Sequence, residues 1–193
     1  MNKIQKNDII SIAEYERIRE DFRARAMRVK DSRRIAVGPY LTFLFENRDT
    51  MIYQVQEMIR AEGIRDDAAV QHEIDTYNEL VPGEYELRAT LLIEFDDPVV
   101  RAVKLNELVG LEKHVSFVID RDFVVSAVFD EKQMDPDKLS SVQYIYFPLG
   151  QKATEAFLST SHVEIVISHP ACSYRQSLGA EQLAALKEDL RRT

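Results

Sequence analysis

The stretch His114-Val115-Ser116-Phe117-Val118-Ile119-Asp120-Arg121-Asp122-Phe123-Val124-Val125-Ser126-Ala127-Val128-Phe129 decides the fold class. Two runs rich in β-branched and aromatic residues, 114–119 and 123–129, bracket Arg121-Asp122, which predicts a β-hairpin. A hairpin makes its two strands antiparallel neighbours. Working upstream, Leu87, Ala89, Leu91, Ile93 and Phe95 recur with the period of two that marks a half-buried strand, after the turn signal Pro82-Gly83. Downstream, 142–147 and 162–168 read as further strands, with a polar loop over 131–139.

Helical signals lie between and around these strands. Ser11-Ile12-Ala13-Glu14 has the form of a capping box, and Tyr15, Ile18, Phe22, Ala26 and Val29 follow at spacings of three and four. This predicts a helix ending near Asp31 with that stripe toward the core. Segments 34–37 and 40–45 around Gly38-Pro39 predict a second hairpin. Met51, Ile52, Val55, Met58 and Ile59 predict a helix over 49–62 closed by Gly63, and Val70, Ile74 and Tyr77 face inward on another over 65–80. Asp97-Pro98 reads as a helix cap and first residue, and shorter helices are expected over 152–158 and 180–190. Paired strands interrupted by helices favour an α+β fold, a mixed or mainly antiparallel sheet with helices packed on it. One globular domain over residues 1–193 accommodates all of it.

Composition removes several function classes. Hydrophobic residues make up 45% and charged residues 30%, a globular balance, and the longest apolar runs fall far short of a bilayer span. The one cysteine, Cys172, has no internal disulfide partner, and residues 1–6 lack the apolar stretch of a secretory signal, so the expected location is cytoplasmic. The net charge of −8 opposes nucleic acid. That charge is uneven, because residues 1–35 hold ten basic and six acidic side chains. On the first helix, Glu14/Arg17, Glu16/Arg19, Glu20/Arg23 and Asp21/Arg25 sit at pairing distance in sequence, which favours a salt-bridged face over a phosphate track. Neither nucleic acid nor a membrane is an expected partner.

Catalytic signatures are sparse. There is no G-x-G-x-x-G, no Walker loop, no G-x-S-x-G and no H-E-x-x-H. His162-Val163-Glu164 followed by Pro170-Ala171-Cys172 partly matches the zinc deaminase elements, but the second cysteine is missing, and alternation along a half-solvated strand explains the spacing. No metal is assigned. Cys172, placed in a loop three residues after His169, could be an activated thiol or a small buried hydrophobe.

One segment stands out as a candidate ligand site. On the helix over 49–62, Tyr53, Gln56, Glu57 and Arg60 fall within one arc opposite the apolar stripe. They combine a phenol, an amide, an acid and a base without lysine, a set that can orient a polar ligand, and Arg48 adds positive charge at the helix entrance. An ordinary exposed helix face would account for the same arc. The expectation is that the four side chains line a cavity, with an anion or a partner carboxylate as occupant.

Several motifs also resemble a family: Phe45-Glu46-x-Arg48, Tyr53-Gln54-Val55-Gln56-Glu57-Met58, Tyr77-Asn78-x-Leu80-x-Pro82, Ala89-Thr90-Leu91, Ser140-Ser141-Val142 and His169-Pro170. The chain is similar over most of its length to the bacterial domain of unknown function 3501. That resemblance brings no activity, substrate, cofactor or catalytic residue, and Cys172 lies outside its signature positions. Members are often encoded beside rubrerythrin-like and iron–sulfur proteins, which implies an accessory role in oxidative-stress or redox metabolism with a redox or iron–sulfur protein as partner. Two functions are therefore in view. One is a non-catalytic binding or accessory protein; the other is an enzyme using Glu57 as acid/base with Arg48 or Arg60 holding an anionic substrate.

Overall fold

The computed structural model describes residues 1–133, 135 and 138–192, so part of the expected 131–139 loop lies outside the described residues. Six α-helices and nine strands are present among them, an α+β fold in which the strands form two antiparallel sheets rather than one. Helix α1 (Ile12–Asp31) leads into β1 (Arg34–Val37) and β2 (Leu41–Glu46), followed by α2 (Arg48–Glu62), α3 (Asp67–Asn78) and β3 (Glu86–Ile93). Helix α4 (Pro98–Glu107) precedes β4 (Val115–Ile119), β5 (Phe123–Ser126), β6 (Val128–Phe129) and β7 (Val142–Pro148). Helix α5 (Gly150–Ser159), β8 (Val163–His169), β9 (Cys172–Ser177) and α6 (Ala180–Arg191) complete the order. One sheet runs β1-β2-β3-β7-β6 and the other β5-β4-β8-β9.

Alternation along the strands explains how the sheets stack. In β3, β4 and β8 every second residue is buried, and these inward residues belong to one core with Phe43, Phe45, Ile145 and Phe147. Phe117 of one sheet lies 4.3 Å from Phe147 and 5.6 Å from Phe45 of the other, ring centroid to ring centroid. Strand β2 is buried along its whole length because its second face lies beneath α1. A smaller apolar cluster of Ile4, Met51, Val55, Ile59, Ile74 and Val81 holds the N-terminal segment to α2 and α3.

The expected single strand over 123–129 is in fact two. Strand β5 pairs with β4, whereas Val128 and Phe129 pair with Tyr146 and Ile145 of β7, so the chain changes sheets at Ala127. The segment around Cys172, expected as a loop, is instead the edge strand β9, whose polar sequence carried no apolar alternation. On α1, Ser11 accepts from the Glu14 amide as expected, but Ile18 of the expected core stripe is 39% exposed. Its acids and arginines also reach outward: Arg19 pairs with Glu57 and Arg60 with Glu16, both on or from α2 rather than along α1.

Candidate functional site

Helix α2 begins where Asn47 caps Thr50 and Thr50 returns the bond to the Asn47 amide, and it ends at Gly63 with φ of +65°, a left-handed position that suits glycine. This fixes the rotation of the helix and points the polar arc at α1 and the N-terminal segment. Gln56 is fully buried, its carbonyl accepting from the Ile10 amide at 3.1 Å and its amide donating to the Ile10 carbonyl at 3.0 Å. Glu57 accepts from the Tyr15 hydroxyl at 2.5 Å and takes both Nε and Nη2 of Arg19 at 2.9 Å. The Arg19 guanidinium, together with the Tyr15 hydroxyl, holds the Glu57 carboxyl down at about 2, while burial and the neighbouring carboxylate push the Tyr15 phenol up.

Arg60 approaches Glu57 at 3.5 Å and Glu16 at 3.4 Å, Arg48 pairs with Asp8, and each of these arginines keeps a buried Nε without an acceptor among the described residues. Tyr53 is buried between the Phe22 ring and the Lys30 ammonium. The structure thus brings Tyr53, Gln56, Glu57 and Arg60 onto one seam against α1 and the N-terminal segment, buried at Tyr53 and Gln56 and half-buried at Glu57 and Arg60. A ligand there would have to displace Ile10, Tyr15 or Arg19.

Elsewhere, Glu164 lies on the outer face of β8 and is held by Arg175 and the Ser177 hydroxyl, with His162 just before the strand. Arg175 and Ser177 together hold the Glu164 carboxyl below its usual range. No group of three His, Cys, Asp or Glu side chains among the described residues is arranged to hold a metal. Cys172 sits opposite His169 at the β8–β9 turn; it is buried, and burial pushes its thiol up. His169 is engaged at both ring nitrogens, with Nε2 donating to the Val109 carbonyl at 3.1 Å and Nδ1 accepting from the Ala171 amide at 3.2 Å. Neither ring nitrogen faces the thiol as a base.

A groove of about 340 Å³ opens between the C-terminal end of α3 and the outer face of β3 and β7. Tyr77, Arg88, Tyr144 and Tyr146 form its walls, with Glu79, Asp130 and Lys132 at its margins. Sequence reasoning missed it, although Arg88, Tyr144 and Tyr146 occupy outward positions of strands whose alternation was legible. The residues that line the groove come from four separate parts of the chain.

No helix of the described residues is long and apolar enough to cross a membrane. Among curated proteins nothing matches the chain. A crystal structure of a novel protein of unknown function from Burkholderia pseudomallei K96243 superimposes with a TM-score of 0.92 at 30% identity, over 98% of this chain and 100% of that one. The family model described as Protein of unknown function (DUF3501) matches residues 3–190. With the family signature covering nearly every residue and a solved relative sharing the whole fold, the chain belongs to DUF3501.

Proposed function

We propose that residues 1–193 act as one cytoplasmic accessory unit that docks on a protein partner through α4. One observation carries the reading. Among the described residues, four of the eight large hydrophobics left exposed are Val99, Val100 and Val103 on α4 and Val109 just after it, with Val99 73% exposed. The opposite side of the same helix buries Leu105 in the core, so α4 is fixed in place while presenting an apolar surface. Clustered exposed apolar residues on a packed helix are the usual mark of a protein contact.

Charge selects the partner's chemistry. Glu94, Asp96 and Asp97 precede the patch, while after its start Arg101 bonds to the Phe95 carbonyl, Lys104 pairs with Glu107 and Lys113 pairs with Glu112. The rim is therefore acidic, and a partner with an apolar patch inside a basic rim fits it. The family's genomic company points to a redox or iron–sulfur protein as that partner. Using Glu57 as an acid/base is the weaker reading, because the Arg19 fork and the Tyr15 hydroxyl already occupy its carboxylate.

The test is co-purification from native cells with the wild-type chain and with V99E/V103E. The reading expects a rubrerythrin-like or iron–sulfur protein with the wild type only, reproduced with the two purified proteins and weakened by salt. Equal recovery with the variant, or a wild-type chain that instead self-associates through α4, overturns it.

A further inference from the structure

The geometry points to a second binding site, independent of α4: the groove beside Arg88 binds a small aromatic monocarboxylate. The antiparallel register sets Glu46 opposite Arg88 and Arg88 opposite Tyr146, so all three lie on one face of the sheet. Arg88 would ordinarily pair with the acid beside it. It does not, because Glu46 is buried with one oxygen taken by the Thr50 hydroxyl at 2.7 Å and the other by the Thr90 hydroxyl at 2.8 Å.

Arg88 is instead fixed from two other sides. Its Nε donates to Glu86 at 2.7 Å, and its guanidinium carbon lies 5.0 Å from the centre of the Tyr146 ring. Its two terminal nitrogens have no hydrogen-bond acceptor among the described residues, although the side chain lines the groove. A guanidinium held at its Nε and on its face, with no acceptor at its terminal nitrogens among the described residues, presents a fork that a carboxylate accepts in bidentate fashion.

The walls supply the rest of the selectivity. Tyr77, Tyr144 and Tyr146 offer aromatic surface for a flat ring, and about 340 Å³ suits a small molecule. Lys132 is balanced by Glu79 and Asp130 at the margins and Arg88 is already ion-paired with Glu86 through its Nε, so the lining carries no excess positive charge. A dianion such as phosphate meets two carboxylates there, and an organic cation meets the Arg88 fork. A singly charged carboxylate meets the same acids with half the charge of a dianion while still filling the Arg88 fork.

Titration calorimetry and ligand-observed NMR with benzoate as the probe test this, with benzylamine and inorganic phosphate as shape and charge controls. The wild type is expected to bind benzoate and to bind neither control measurably. Arg88→Met should weaken benzoate at least tenfold, Arg88→Lys should weaken it less, and Tyr144→Leu should weaken it without changing the preference for an anion. Thermal melts establish that each variant is folded, and if Arg88→Met is not, Arg88→Lys and Tyr144→Leu carry the comparison. Benzoate binding that is absent, unchanged by these substitutions, or matched by phosphate or benzylamine overturns the assignment. Loss of the α4 partner in V99E/V103E should leave benzoate binding intact, so the two sites fail separately.

Discussion

Arg33 and Asp189, 156 residues apart in sequence, meet as a buried two-pronged ion pair with Nε–Oδ2 at 2.7 Å and Nη2–Oδ1 at 2.9 Å. Asn47, the cap of α2, donates its side-chain amide to the same carboxylate at 3.1 Å. One acid near the end of α6 therefore joins the entrance of β1 to the start of α2. Removing it leaves a buried guanidinium unpaired, so Asp189→Ala should destabilise the fold by about 3–5 kcal/mol, measured by urea unfolding. Arg33→Met/Asp189→Leu together should lose much less, because no lone buried charge remains.

Glu57 gives the fold an acid-sensitive clasp. Its carboxyl is held at about 2 in the folded chain against an ordinary value of 4.5, by the Arg19 guanidinium first and the Tyr15 hydroxyl next. A depressed folded value means the stabilisation is complete above the ordinary carboxylate range and is lost as pH falls from near 4.5 toward 2. Glu57→Gln should cost about 1.5–3 kcal/mol at pH 7 and flatten the stability profile over that acid window. An unchanged slope in pH-dependent melts would count against the clasp.

Gly38 has no room for a side chain. Its φ is +67°, and a Cβ there would lie 2.7 Å from the Tyr174 ring, itself held by the hydrogen bond from its hydroxyl to Tyr40. Gly38→Ala should cost about 1–3 kcal/mol from backbone strain and overpacking together. Gly63→Ala has the same left-handed φ but open space around it, and should cost only the conformational part, about 1 kcal/mol.

The N-terminal segment is part of the packing. Ile4 is buried, its amide and carbonyl both bond the Asn78 side chain, and Lys3 donates to the carbonyls of Asn78 and Val81. Ile4→Ala should cost about 2–4 kcal/mol. Differential scanning calorimetry of Ile4→Ala beside Lys3→Met separates the apolar contribution from the helix-end contacts, with Lys3→Met the milder of the two.

Cys172, the first residue of β9, is buried with its thiol pushed above the ordinary range by that burial, so it should react slowly. Iodoacetamide labelling of the native chain is expected to run at least ten times slower than labelling in denaturant. Rapid native labelling would restore the thiol as a candidate nucleophile.

Much of this architecture is legible in local sequence because it rests on local patterns. The alternation in 87–95, the Asp97-Pro98 cap and the Gly63 stop each record a decision made within a few residues. The crossing at Ala127 is not of that kind, since Val125 and Val128 have the same chemistry and only the partner strand differs. Strand β9 escaped for the opposite reason: an edge strand with one wet face can be polar and still pair along its backbone. At the candidate site, the helical arc of Tyr53, Gln56, Glu57 and Arg60 was readable, but Ile10, Tyr15 and Arg19 lie some forty residues away and no spacing announces them. Arg88 was hidden similarly, because what distinguishes it is an acid on the neighbouring strand that two threonines have already claimed.

The change of sheet at Ala127 gives the molecule a mechanical seam. Its amide still bonds Val115 of one sheet while the next two residues pair with β7 of the other, and at the opposite margin β9 touches β1 where Tyr174 covers Gly38. Two layers sewn along both margins cannot slide past one another without tearing a stitch. Pulling the chain by its ends should therefore give a resisting unit in which neither sheet yields by shear alone, with Ala127 and Gly38 as the threads that part first.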